Sequence, residues 1–231
     1  MIDLERKFLF IHIGNSAGTS IEKSLSNETT YFTPFGKRPG GAHWTYWKKK
    51  EWFKESENTY TKNLDFTFED LYKFVIVRNP WDRMVSKYMH ESQNVEVFTQ
   101  HVSDGLKGGP DFISFLMHIK ENNVQDQDLH LSPSLDWFPP EEMDKIIIFD
   151  NLQKGFQEAT KEIGLEKALE DIHPGLTNGS WKKPDRNLDS FGNPRKHYSL
   201  YYNDECIEYV RERFKKDIDY FNFEFDDKRQ R

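Results

Sequence analysis

The chain has 231 residues, 36% of them hydrophobic and 31% charged, with a formal net charge of −7. That length suits one domain, residues 1–231, with a full core. The acidic balance argues against a general nucleic-acid role while leaving room for a local basic pocket, and no apolar run approaches the roughly 18 residues of a membrane span.

The first predicted element is a strand. Phe8, Leu9, Phe10, Ile11 and Ile13 form an apolar run interrupted by His12, the pattern of a strand buried on both faces in a parallel sheet. Gly14, Asn15, Ser16, Ala17 and Gly18 follow as a loop of small residues, which lets backbone N–H groups approach an anion closely. Thr19, Ser20 and Glu22 open a helix with Ile21 and Leu25 on one face, and Thr19 with Glu22 fits a capping box. The helix N-terminus thus points at the loop, where its partial positive charge favours phosphate or sulfate; the alternative is a tight strand-to-helix turn with no ligand. The common nucleotide loop G-x-x-x-x-G-K-[ST] is absent. Gly14 and Gly18 are too close, and Thr19 stands where its lysine belongs, which disfavours an ordinary ATPase or GTPase.

Farther along, His43 follows the Gly40-Gly41 pair in GGAHWTYW, and a histidine's pKa suits general-base work near neutrality; the alternative is a surface or capping histidine. Phe74 to Val77 predict a second buried strand with Arg78 at its end, broken by Asn79-Pro80. Asp82 is the expected cap of the next helix, whose apolar stripe is Trp81, Val85, Tyr88 and Met89. Arg78 and Ser86 together suit one phosphate, a charged fork plus one hydroxyl donor; the alternative for Arg78 is a salt bridge at the sheet edge. The stretch 174–194, rich in Gly, Asn, Pro and Ser, reads as a long loop. Cys206 is the sole cysteine, which excludes an internal disulfide and fits a reducing compartment. It lies beside the stripe Ile207, Val210, Phe214 and Ile218 and is expected to be structural. The histidines are scattered and no cysteine pair exists, so no metal site is expected.

Together the two segments resemble the PAPS-dependent sulfotransferases, most closely the Golgi-type carbohydrate sulfotransferases and their small bacterial and viral relatives. The family's second motif, V-R-N-P-W-D-R-L-V-S-x-Y, is matched by Val77 to Val85, Ser86 and Tyr88, with Met84 in place of Leu. Its first motif, F-I-H-I-P-K-T-G-G-T-S, is matched by His12, Ile13, Gly18, Thr19 and Ser20, more loosely by Ser16 and Ala17. It departs at Gly14, where the family has Pro, and at Asn15, where it has Lys. HLSPSLDWF (130–138), KIIIFDNLQKGF (145–156) and the segment from His197 to Phe225 resemble later family segments in the same order.

The resemblance implies a P-loop NTPase-like three-layer α/β fold, with a central parallel sheet flanked by helices. It implies sulfuryl transfer from 3′-phosphoadenosine-5′-phosphosulfate (PAPS) to an acceptor hydroxyl, with a carbohydrate acceptor, PAP as product and no metal. Gly14, Asn15, Ser16, Ala17, Gly18, Thr19 and Ser20 would grip the 5′-phosphosulfate, and Arg78 with Ser86 the 3′-phosphate. Arg195 and Lys196 would close over the nucleotide, and His43 would be the base. The Golgi relatives carry a membrane anchor; with no signal-peptide pattern at its start, this chain is expected to be a cytoplasmic catalytic domain. Asn15 in the lysine position removes a charge worth roughly 10²–10³ in rate. Another cation replaces it (Lys7, Lys37, Arg38, Lys48 or Arg83), or the enzyme is slow, or the chain binds PAP or PAPS without reacting. A P-loop small-molecule kinase is the third reading.

Overall fold

A computed structural model describes residues 1–26, 31–32, 43–55, 61–91, 111–121, 128–165 and 195–229. Lys37, Arg38, Gly40, Gly41 and the expected long loop 174–194 lie outside them. The chain divides into two compact units, Met1–Arg78 with Ser134–Asp171, and Asn79–Pro133 with Ile172–Arg231.

The first unit is a mixed α/β layer structure. Its strands are β1 (Ile2–Asp3), β2 (Phe8–Ile11), β3 (Tyr31–Phe32), β4 (Tyr72–Val77) and β5 (Lys145–Ile148), in the order β3-β1-β2-β4-β5. β2, β4 and β5 are parallel, with Ile11 opposite Val75 and Val77 opposite Ile148. All four residues of β2 and the last five of β4 are buried, as expected for central strands covered on both faces. Phe10 stacks on Phe74 across this pair with ring centroids 5.0 Å apart. The antiparallel edge of β1 and β3 is two residues deep, too short to carry a readable alternation.

Among the described residues, the α-helices of this unit are α1 (Gly18–Ser26), α2 (Tyr46–Glu55) and α5 (Leu152–Glu162). The Tyr46 N–H donates to the Trp137 carbonyl at 2.8 Å, which ties the start of α2 to the turn before β5. Gly155 of α5 lies against the Ile147 side chain, where a Cβ would overlap it.

The second unit is helical. It contains α3 (Pro80–Glu91), α4 (Phe112–Glu121), α6 (Asp204–Arg213) and α7 (Lys215–Phe221). The cap of α3 is Asn79 rather than the expected Asp82: Asn79 Oδ1 accepts from the Trp81 N–H at 3.1 Å. Pro80 then takes the first helical position, where its missing N–H costs nothing, and Asp82 falls in the first turn. The buried face of α3 is wider than its expected apolar stripe, because Arg83, Met84, Ser86 and Lys87 are buried too. Trp81, Tyr88, Phe112, Tyr202, Cys206, Val210 and Phe214 sit in one core cluster, so Cys206 is structural. Burial, then the nearby Glu205 carboxylate, pushes its thiol up to about 11, which leaves little thiolate near neutrality.

No helix among the described residues is long and apolar enough to cross a membrane, and none of their His, Cys, Asp and Glu side chains form a group that could hold a metal ion.

Candidate active site

The three parallel strands end side by side, and each is followed by a residue of the site: His12 after β2, Arg78 after β4 and Phe149 after β5. The carboxyl ends of parallel strands are where α/β sheets place ligands.

The loop after β2 alternates in backbone conformation. Asn15 and Ala17 both have φ of 63°, while Gly14, Ser16 and Gly18 do not have positive φ. Alternation of this kind turns successive N–H groups toward one concave side, the geometry of an anion nest. Asparagine tolerates the left-handed region, and alanine does so only under strain. The first helical N–H groups of α1 open at the same place. Ser16 is 1% exposed, and its Oγ finds no hydrogen-bond partner among the described residues. A buried hydroxyl in that condition is costly until something bonds it.

The expected capping box is not formed. α1 begins at Gly18, with the Ala17 carbonyl accepting from the Ser20 and Ile21 N–H groups at 2.9 and 3.2 Å. Thr19 is exposed, and Glu22 turns to His12 instead of back to the helix start.

Arg78 is buried, and its Nη1 donates to the Asn15 carbonyl at 3.0 Å. Its guanidinium lies over the Phe149 ring, 4.1 Å from the centroid. The residue standing in the lysine position is therefore held by an arginine from the next strand. Lys7 precedes β2, at the far end of a strand spanning ~13 Å, and its Nζ pairs with Asp65 at 3.4 Å. Lys48, on α2, sits over Trp44 at 4.9 Å.

His43 also lies at this end of the sheet. Its ring is 4.3 Å from that of His12, and it meets Trp137 edge-on at 6.5 Å. His12 in turn fills the space over Gly18: a Cβ there would overlap His12 Cδ2 and Nε2. His12 Nδ1 is 3.3 Å from Glu22 Oε2, an electrostatic contact whose N–H is poorly aligned for a full hydrogen bond. Burial pushes the Glu22 carboxyl up, but the His12 contact, with smaller help from the Met1 amino group and then Lys49, outweighs it and holds the group below its ordinary value. Lys49 is itself buried, and burial lowers its ammonium.

The other expected site residues belong to the second unit. Ser86 is buried on α3. Arg195 pairs with Asp82 at 2.8 Å, and Lys196 is exposed, its backbone N–H donating to the Tyr201 hydroxyl at 3.0 Å. Arg83 is 1% exposed and donates to the carbonyls of Ser132 and His130 at 3.0 and 2.9 Å. It clamps the turn at Leu129–Leu131.

A family model described as the sulfotransferase family matches residues 1–224. The chain belongs to that family. No curated protein and no solved structure matches it.

Within this sulfotransferase chain, four contributors escaped the sequence reading. Phe149 supports Arg78, and the only hint was an aromatic directly after an apolar strand. Trp137 backs His43 from within the HLSPSLDWF segment. His12 and Glu22 were assigned to the strand and to a cap; a polar residue inside a buried run, which demands a polar partner, was the signal for the pair.

Proposed function

We propose that the chain is a PAPS-dependent sulfotransferase that moves a sulfuryl group to an acceptor hydroxyl, with carbohydrate as the acceptor class. The observation that carries this reading is the bond from Arg78 to the Asn15 carbonyl. It holds the arginine read as the 3′-phosphate partner against the loop read as the 5′-phosphosulfate site.

The loop suits the 5′-phosphosulfate of PAPS: left-handed residues alternate along it, a helix N-terminus opens on it, and the Ser16 hydroxyl needs a partner. The family resemblance assigns Arg78, Ser86, Arg195 and Lys196 to the same nucleotide. When bound, the nucleotide supplies the activated sulfuryl group. In such transfers the acceptor oxygen forms a bond to sulfur as the bond from sulfur to the leaving phosphate oxygen breaks. The loop N–H groups stabilise the negative charge that builds on the 5′-phosphate, while Arg78 with Ser86 holds the 3′-phosphate. His43 receives the acceptor's proton.

Asn15 favours a second reading, a protein that holds PAP or PAPS and transfers slowly or not at all, because an amide carries no charge. Incubation with labelled PAPS over a glycan panel separates the two. Transfer by the wild type supports the enzyme. Turnover appearing only in Asn15→Lys marks a decayed one. A kinase reading requires tight ATP binding, and calorimetry with ATP, ADP and PAP tests it.

A further inference from the structure

We propose that Glu22 and His12 are a positioning pair for His43, a role that rests on the reading of His43 as the base. His12 is 3% exposed and Glu22 7%. Buried groups of this kind persist when an opposite charge or dipole lies beside them.

Each side of the His12 ring is accounted for. The Glu22 carboxylate faces Nδ1 at 3.3 Å and favours the tautomer with its proton there. The edge carrying Cδ2 and Nε2 lies on Gly18, in space a Cβ would fill. One ring face meets His43, 4.3 Å away and tilted by 52°, and Phe10 is a further aromatic neighbour at 6.0 Å.

This arrangement gives His43 a fixed wall, with Trp137 edge-on as a second support. It also places a buried carboxylate one ring beyond His43. A base that accepts a proton becomes an imidazolium, and a buried carboxylate nearby favours that state, as the carboxylate does in hydrolase triads. Here the carboxylate acts across one intervening ring, and it is shared with the Met1 amino group, 4.0 Å from its Oε1, and with the Lys49 ammonium. The same His12 ring touches Gly18, the first residue of α1, so the loop and the base are aligned by one side chain.

The test uses the full chain in three forms: wild type, Glu22→Gln, which keeps the shape and removes the charge, and His12→Phe, which keeps the ring and removes the nitrogens. Side-chain NMR of the histidines, calorimetry with PAP and steady-state kinetics are measured on each. The expected result is that PAP affinity stays within about twofold, acceptor KM barely moves, kcat falls roughly 10- to 100-fold, and the His43 ring resonances shift in both variants. If Glu22→Gln fails to fold, His12→Phe carries the same comparison. His43 resonances that stay put in both folded variants overturn the proposal, and so does an unchanged kcat. If the wild type transfers no sulfuryl group, the reading of His43 as base fails, while the resonances still decide whether the pair positions it.

Discussion

Gly18 shows how one position serves a site in two ways. Its lack of a side chain was read as room for an anion. The structure adds that the His12 ring occupies the place of its missing Cβ, although its φ is not positive. Gly18→Ala must therefore push the ring out and is expected to cost roughly 1–3 kcal/mol, seen as a lower thermal midpoint, and to disturb His43 with it. An unchanged midpoint contradicts the contact. Ala17 is the opposite case. It holds φ of 63° without being glycine, a conformation that strains an L side chain. Ala17→Gly should stabilise the protein by up to about 1 kcal/mol, measured by denaturant midpoint; a clear loss of stability would show that the alanine methyl is needed.

At the level of elements, the parallel strands matter because they end together. Register alone brings Arg78 and Phe149 beside the loop that follows β2. The strands were legible because unbroken apolar runs flanked by turn signals have few other meanings. The Arg78 contact with Asn15 was not, since it depends on which strand is whose neighbour, and no residue pattern states that. The start of α3 was misplaced for a local reason: Asn79 and Asp82 are both competent caps, and Pro80 at the first helical position settles the choice in favour of Asn79. Asn79→Ala should lower stability by about 1 kcal/mol, and by somewhat more if the bond from its Nδ2 to the Glu224 carbonyl at 2.8 Å is also lost. Asp82→Ala should cost less, and the reverse order in urea melts would restore the original assignment.

For the whole molecule, acid sensitivity is a direct consequence of the buried pair. The folded protein holds the Glu22 carboxyl below its ordinary value, whereas the unfolded chain releases it to about 4.3. A depressed carboxylate adds stability at pH above that unfolded value, and the contribution disappears as pH falls through the folded one. Glu22→Gln should therefore flatten the stability profile below about pH 4.3, which melts across pH would show. The division into two units, at Arg78 and Asn79, falls inside one sequence motif and had no compositional signal. The central claim is that the loop and Arg78 serve a nucleotide phosphorylated at both the 5′ and 3′ positions. Calorimetry of PAP against ADP on wild type and Arg78→Ala tests it most directly. The account predicts tight PAP binding and much weaker ADP binding in the wild type, with the preference lost in Arg78→Ala. ADP binding as tightly as PAP, or a preference that survives the substitution, would contradict it.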